Sequence, residues 1–381
     1  MARAVGPTRR DGREQDHRRA LWRWAHDLPK IDLHRHLEGS LNLSTLVEVA
    51  EQHGIELPGY DVEHLRPLVQ MTDDLPDFQR FLAKFEVLRR FYISREVIQR
   101  LAREVIVDAA RDNVRYLELR FNPLALARAE GFSFDEVVAW VIEATKAAEA
   151  ETGMRTCLIL QIPRDQPLSV ADEIVDIAID RLGRWVRAID LAGDETSYPP
   201  EAFSGPFERA LEAGLSITVH AGEAAGPESV RAAVTKLHPT RIGHGVRAIE
   251  DSNVIRLLRE RDITLEVCPT SNVHTGVVPR FCQHPLPDLV RLRIRTTLNT
   301  DDPSVSGTTL SDEYVAAVDR IGIARHWVYR MLGNAAASAF IPPAERGDLW
   351  ATMRRELADD PAALEEFDRA GDSEGAGAPS S

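Results

Sequence analysis

The stretch SREVIQRLAREVIVDAARDNVRYLELRFNP, residues 94–123, holds a helical pattern followed directly by a strand pattern. Its first part predicts an amphipathic helix over residues 94–111, because apolar residues recur there at fourfold spacing. These apolar residues are Val97, Leu101, Val105 and Ala109. The apolar and aromatic residues of 114–121 predict a strand. A helix that leads straight into a strand is typical of the repeating unit of a parallel α/β sheet.

Similar strand patterns recur along the chain, and longer helical patterns such as residues 134–150 separate them. There are eight, at residues 30–36, 114–121, 156–162, 186–191, 215–220, 240–244, 263–268 and 295–300. Alternating strands and helices imply right-handed parallel crossovers, and eight such units close a (β/α)8 barrel. An open, doubly wound sheet is the alternative.

Polar residues suited to chemistry lie at the end of nearly every predicted strand or directly after it. They are His34 and His36, Arg120 and Asn122, Arg164, Asp190 with residues 193–195, His220 with Glu223, His244, residues 270–272, and Asp301 with Asp302. Barrel enzymes build their sites at this end of the strands. We therefore predict an α/β protein with a single (β/α)8 TIM-type barrel and extra helices before and after it.

The composition restricts the partners. The 381 residues include 46 basic and 60 acidic side chains, a formal net charge of −14. An acidic chain repels phosphate polyanions, so we expect neither nucleic acid nor a membrane surface as a partner, but a neutral or cationic small molecule. No stretch approaches the ~20 apolar residues of a membrane helix. The three cysteines are too few and scattered for a disulfide framework, which favours a cytoplasmic location.

The two ends of the chain differ from the rest. Residues 1–20 are polar and rich in arginine, and no apolar signal segment follows, so we predict a mobile tail there. Residues 366–381 are predicted to be a disordered tail, because the last dozen residues offer few apolar side chains to offset the entropy of ordering. The barrel domain is expected over residues 21–365.

The histidines at the strand ends indicate a metal site. His34 and His36 are two residues apart on one strand, so both rings project to the same side. His220, His244 and Asp301 close three other strands. Three imidazoles and a carboxylate suit zinc, with manganese or ferrous iron as acceptable substitutes. Because the thiols of a structural zinc site are absent, the site is predicted to be catalytic.

An attacking water also needs groups that orient it and that protonate the substrate. Glu223, three residues past His220, is a candidate proton donor, and His244 or Asp302 could position the water. Each has a simpler interpretation: Glu223 as a surface acid, His244 as a turn residue. Asp301 and Asp302 before Pro303 could cap a helix.

Six segments resemble the adenosine/adenine deaminase branch of the amidohydrolase superfamily. They are LPKIDLHRHLEGS (28–40), LAGDE (191–195), TVHAGE (218–223), RIGHG (241–245), CPTSN (268–272) and LNTDDP (298–303). The resemblance covers roughly residues 28–345. The segment LPDFQRFLAKF (75–85) is similar to the helix that roofs the purine pocket, which would bring Phe81 and Phe85 to the substrate. The spacing of these phenylalanines also fits an ordinary core helix.

This resemblance implies one zinc ion per chain, held by His34, His36, His220 and Asp301. It makes Glu223 the proton donor to purine N1, and His244 and Asp302 the groups that orient and activate the attacking water. Asp302 would also lie near N7, the backbone amide of Gly193 would meet N3, and His36 would border the substrate. The implied reaction converts adenosine or 2′-deoxyadenosine to inosine or 2′-deoxyinosine plus ammonia. The signature of nucleic-acid-editing deaminases is absent.

Glu38 departs from the family pattern. Nucleoside deaminases usually carry Asp here, facing the ribose 5′-hydroxyl, whereas adenine deaminases often carry Glu. Adenine or a 5′-modified adenosine therefore remains an alternative substrate, although residues 299–314 are closer to the nucleoside branch. More remote alternatives are an amidohydrolase that cleaves an amide or ester and a non-catalytic purine-binding barrel.

Overall fold

The computed structural model describes residues 9–371. Its eight strands are all parallel and form one sheet in sequential order from β1 to β8. The sheet returns to its start after β8, where Asp301 pairs with Arg35 of β1. The N–H of Asp301 donates to the carbonyl of His34 at 2.7 Å, and the N–H of His36 donates to the carbonyl of Asp301 at 2.9 Å. The predicted (β/α)8 barrel is confirmed, and the open sheet is excluded.

All eight predicted strands are present, and their bounds differ from the prediction by at most two residues at either end. The strands are β1 (Lys30–His36), β2 (Val114–Phe121), β3 (Arg155–Pro163), β4 (Val186–Ala192), β5 (Ser216–Ala221), β6 (Arg241–His244), β7 (Thr264–Val267) and β8 (Arg295–Leu298). Nearly every strand residue is buried, because helices cover the outside of the barrel and side chains fill its interior.

Helices connect the strands and extend the fold at both ends. They are α1 (Arg9–Asp27), α2 (Leu43–His53), α3 (Val62–Val69), α4 (Phe78–Leu88), α5 (Arg95–Arg111), α6 (Pro123–Ala127), α7 (Phe134–Thr152), α8 (Leu168–Asp180), α9 (Ser204–Glu212), α10 (Pro227–Lys236), α11 (Ser252–Glu260), α12 (Pro269–His274), α13 (Leu286–Arg291), α14 (Pro303–Ser306), α15 (Leu310–Val315), α16 (Arg325–Ser338), α17 (Pro343–Glu356) and α18 (Pro361–Gly371). Among the described residues, none of these helices has the length and apolar character needed to cross a membrane.

Helices extend into both segments that the sequence predicts to be tails. Helix α1 begins at Arg9 and runs through residues 15–20, which are exposed, to the turn that buries Leu21 and Ala25. At the other end, α18 runs to Gly371 rather than stopping at residue 365. Phe367 is fully buried, with its ring 4.3 Å from that of Trp350, and this contact holds the helix on the barrel. The remaining tail residues, 1–8 and 372–381, lie outside the described part of the chain.

Candidate active site

Five of the predicted site residues converge at the C-terminal end of the barrel. His34 and His36 come from β1, His220 from β5 and His244 from β6, and Asp301 follows β8. Nε2 of His36 lies 3.3 Å from Nε2 of His34 and 3.2 Å from Nε2 of His220. Oδ1 of Asp301 lies 3.2 Å from Nε2 of both His34 and His36. All five side chains are buried.

The spacing of these atoms fits a metal ion. Tetrahedral zinc, with bonds of about 2.0–2.1 Å, separates its ligand atoms by roughly 3.3–3.4 Å. The atom of His36 lies 3.2–3.3 Å from those of His34, His220 and Asp301, and the atoms of His34 and Asp301 lie 3.2 Å apart, which is nearly this spacing. The ligand atoms of His34, His220, His244 and Asp301 also lie within 4.8 Å of one another, so distance alone admits His244 as a ligand in place of His36.

A second set of side chains orients three of the four imidazoles in this cluster. Nδ1 of His34 lies 2.7 Å from Glu266, Nδ1 of His36 lies 3.0 Å from Gln161, and Nδ1 of His220 lies 3.0 Å from Asp190. A ring that donates from Nδ1 presents the lone pair of Nε2, which is the geometry a metal requires. Burial lowers the pKa of His220 to about 4, so its ring is neutral, as a ligand must be.

Arg120 joins two of these acceptors. Its guanidinium donates to Asp190 at 2.9 Å and to Glu266 at 2.8 Å, and all three side chains are fully buried. Arg241 pairs with Glu266 from the other side and with Glu118. Arg120 and Asp190 were predicted as polar residues at strand ends, whereas Gln161 and Glu266 were not predicted. Both are polar residues within otherwise apolar strands, which was the available signal.

Two residues of the cluster have strained backbones. His244 has φ 60° and Asp301 has φ 66°, the left-handed region that residues with a side chain seldom adopt. Such a conformation costs ~1–3 kcal/mol and is found most often at functional sites. For Asp301 burial opposes ionisation, but the facing His244, His34 and His36 outweigh it and hold its pKa well below the usual value. The backbone of His244 and Asp301 is therefore held in an unfavourable conformation by the surrounding site, and not by its own local preference.

Glu223 is buried rather than a surface acid. Its Oε2 lies 3.5 Å from Nε2 of His244. Glu195 holds the loop that contains Glu223, because its carboxylate accepts the N–H groups of Glu223 at 3.1 Å and of Ala225 at 2.9 Å. Burial raises the pKa of Glu223 well above its ordinary value, and the carboxylates of Asp301, Glu195 and Asp302 raise it further. Glu223 is thus able to hold a proton that it can donate.

Asp302 lies beside the cluster and does not cap the helix that follows it. Its side chain makes no capping bond to α14, although Pro303 occupies the first helical position. Among the described residues, no partner bonds its buried Oδ1. Gly39 makes room for this carboxylate, since a Cβ on Gly39 would stand 1.8 Å from Oδ1. No role for Gly39 was predicted from the sequence.

A cavity opens onto these groups. Helix α4 forms its apolar wall with Phe78, Phe81, Leu82 and Phe85, and Gly193 lies among the polar residues lining it. Glu38 also borders the cavity: its Oε1 accepts the N–H of Asn122 at 2.8 Å. Its Oε2 is buried and has no hydrogen-bond partner among the described residues. The cavity therefore combines an apolar face, the His/Asp cluster that could bind a metal and a carboxylate oxygen without a hydrogen-bond partner among the described residues.

Comparison with known proteins identifies the family that shares this arrangement. The model of the adenosine deaminase family matches residues 29–355. The chain belongs to the adenosine deaminase family. It is 38% identical to the adenosine deaminase of Edwardsiella ictaluri over 318 residues, which cover 84% of this chain and 95% of the relative. This similarity supports hydrolytic deamination of adenosine.

Two solved structures are similar to the whole fold. An adenine deaminase from Arthrobacter aurescens is 28% identical with a TM-score of 0.79, over 91% of this chain and 99% of that one. An amidohydrolase from Burkholderia ambifaria, solved with bound zinc, is 25% identical with a TM-score of 0.78, over 98% and 97% of the two chains. The adenosine deaminase family is metal-dependent, and the His/Asp cluster of this chain could bind a metal.

Proposed function

We propose that this chain is a zinc-dependent aminohydrolase that converts adenosine and 2′-deoxyadenosine to inosine and 2′-deoxyinosine with release of ammonia. The observation that carries the proposal is the position of Glu223, a buried acid beside the His/Asp cluster and at the wall of the cavity. A simple hydrolase of amides would have no need for a proton donor directed at a ring nitrogen.

His34, His36, His220 and Asp301 would hold one zinc ion per chain. The donor set supports zinc, because it combines neutral imidazoles with a single carboxylate, and a structural neighbour contains zinc. When bound, zinc lowers the pKa of a coordinated water toward neutrality and so supplies a nucleophile at physiological pH. Gln161, Glu266 and Asp190 would keep the three rings oriented toward it.

The remaining groups would act on the substrate. Glu223 would donate its proton to N1, which makes C6 electrophilic, while His244 and Asp302 orient the attacking water against C6. Addition of water and loss of ammonia leave the 6-oxo purine. Phe81 and Phe85 would cover the apolar face of the ring, and the backbone amide of Gly193 would meet N3.

Glu38 favours one second candidate, deamination of free adenine or of a 5′-modified adenosine. Its unpartnered Oε2 can accept a hydrogen bond from a ribose hydroxyl or from the imidazole N–H of adenine. Glutamate extends one methylene further than aspartate, so a smaller substrate or a displaced ribose would also reach it. The similarity of the fold to an adenine deaminase also supports this second candidate.

The test compares kcat/KM for adenosine, 2′-deoxyadenosine, adenine and a 5′-modified adenosine with the zinc-loaded protein, because this ratio reports differential binding of the transition states. We expect the two nucleosides to exceed adenine by at least tenfold. A preference for adenine or the 5′-modified nucleoside would transfer the assignment to the second candidate. Failure to deaminate any of the four would refute the proposed reaction.

A further inference from the structure

Three buried residues form a hydrogen-bonded chain that ends on His244. The N–H of Leu286, the first residue of α13, donates to Nδ1 of His284 at 3.1 Å. Nε2 of His284 lies 3.3 Å from Oδ1 of Asn272 on α12. Nδ2 of Asn272 lies 3.1 Å from Nδ1 of His244. Asn272 and Leu286 are completely buried, and His284 is 4% exposed.

The direction of this chain is fixed at the backbone. A peptide N–H can only donate, so Nδ1 of His284 must accept and its hydrogen must be on Nε2. Burial lowers the pKa of His284 to about 3, which keeps the ring neutral. The group of Asn272 that faces His284 must then be its carbonyl oxygen, which turns the NH2 of the amide toward His244. Nδ1 of His244 therefore accepts, and the hydrogen of the neutral ring is on Nε2.

This polarity is opposite to that of the other three imidazoles. His34, His36 and His220 face acceptors with Nδ1 and so present a lone pair at Nε2. His244 presents an N–H at the same position, although its ring centroid lies only 4.9 Å from that of His34 and 5.2 Å from that of His220. A nitrogen that carries hydrogen cannot bind a metal. The hydrogen bonds thus make one of the four histidines a hydrogen-bond donor and the other three candidate metal ligands.

We propose that Asn272 and His284 are positioning residues that hold His244 as the Nε2–H tautomer, so that His244 donates a hydrogen bond to the attacking water and does not ligate the metal. This rests on the proposed function for the identity of the acceptor, but not for the tautomer. With Nδ1 occupied by the amide of Asn272, the ring keeps one orientation, and its Nε2–H points into the cavity between Glu223 and Asp301.

The tautomer can be read without substrate. Protein labelled with ¹⁵N in histidine and loaded with zinc is studied by long-range ¹H–¹⁵N correlation spectra, and His244 is assigned by the signal lost in His244→Gln. We expect a protonated Nε2 and an unprotonated Nδ1 for His244. A hydrogen on Nδ1, or a metal-bound Nε2, would overturn the proposal.

Two variants of nearly equal size separate positioning from simple packing. Asn272→Asp places a carboxylate against Nδ1 of His244 and should move the hydrogen to Nδ1, whereas Asn272→Leu removes the partner and leaves the tautomer free. We expect kcat for adenosine to fall by on the order of 10²–10⁴-fold in Asn272→Asp and by less in Asn272→Leu, with KM and zinc content unchanged.

The spectra and the activities together distinguish failure of the tautomer proposal from failure of the proposed function. If Asn272 served packing alone, the nearly isosteric Asp variant would retain activity better than the Leu variant, and that order would contradict the proposal. If wild-type protein deaminated none of the purines, the proposed function would fail, while the spectra of the wild-type and Asn272→Asp proteins would still decide the tautomer.

Discussion

Oε1 of Gln161 lies 3.0 Å from Nδ1 of His36, and this uncharged contact sets the orientation of one ring in the His/Asp cluster. His34 and His220 rely instead on the carboxylates of Glu266 and Asp190, which are tied into the buried ion pairs of Arg120. Gln161 is therefore the orienting partner that can be changed with the least disturbance of the barrel interior.

Replacing this contact should weaken metal binding. We expect Gln161→Leu to lower zinc affinity by about 10–100-fold, the usual cost of losing an outer hydrogen bond to a metal-ligating histidine. Competition with a chromogenic chelator measures the affinity. Gln99→Leu, which alters a contact with Glu143 on the outer surface, should leave it unchanged. Equal affinities for wild type and Gln161→Leu would argue against His36 as a ligand.

Gly39→Ala should disable the site without removing any of its side chains. A methyl group at this position would overlap the carboxylate of Asp302, so Asp302 must move. We expect kcat to fall by at least 10²-fold, because misplacing a catalytic group by about 1 Å has this effect. Gly347→Ala is the control, since nothing lies within 4 Å of its added Cβ. Unimpaired turnover in Gly39→Ala would show that Asp302 has no fixed role.

The sequence predicted the barrel well because the strand signals are local. Residues 30–36 and 114–121 match β1 and β2 residue for residue. Helix α5 also begins where expected, because the side chain of Ser94 accepts the N–H of Val97 and caps it. The ends of the fold could not be predicted in this way. The burial of Phe367 depends on Trp350 of a different helix, which no local pattern reveals.

Glu38→Gln should separate nucleosides from adenine. The variant keeps an oxygen for the N–H of Asn122 but replaces the unpartnered Oε2 by an amide nitrogen. If Oε2 accepts a ribose hydroxyl, kcat/KM for adenosine should fall by about 10–100-fold, the equivalent of a charged hydrogen bond of ~1.5–3 kcal/mol, mainly through KM. Activity on adenine should be nearly unchanged. Glu51→Gln on the exposed face of α2 is the control. An equal loss for adenosine and adenine would place Glu38 against the base.

Glu313 should make stability depend on pH. Burial raises the pKa of this carboxyl from 4.5 to about 8 in the folded chain. Between these two values the folded protein binds more protons than the unfolded chain, so the free energy of unfolding falls as pH rises. Glu313→Gln lacks this group. As pH rises from 5 to 8, its free energy of unfolding should therefore increase by at least ~1 kcal/mol relative to that of wild type. Urea unfolding of both proteins at the two pH values measures the difference. A constant difference would show that Glu313 is ionised throughout.

Site residues at the strand ends could be predicted from the sequence, whereas residues that act through contacts between distant segments could not. The closed barrel brings together residues that lie at the ends of strands or directly after them, namely His34, His36, His220, His244, Asp301, Asp302 and Glu223. Gln161, Asn272 and His284 act through the side chains that they contact, and the strand-end pattern, which includes residues 270–272, does not reveal these contacts. Asn272 and His284 lie on α12 and in the segment before α13, and only the folded chain shows that they lead to His244.

In the proposed reaction, Glu223 supplies the proton for hydrolytic deamination of adenosine. The most direct measurement follows the ultraviolet change from adenosine to inosine together with ammonia release, for zinc-loaded wild type and Glu223→Gln. Wild type should release one ammonia per inosine. Glu223→Gln should bind the same amount of zinc and lose about 10²–10⁴-fold or more in kcat, since it keeps the shape but not the proton. Turnover near that of wild type in Glu223→Gln would contradict this role of Glu223, and no turnover of adenosine by wild type would contradict the proposed reaction.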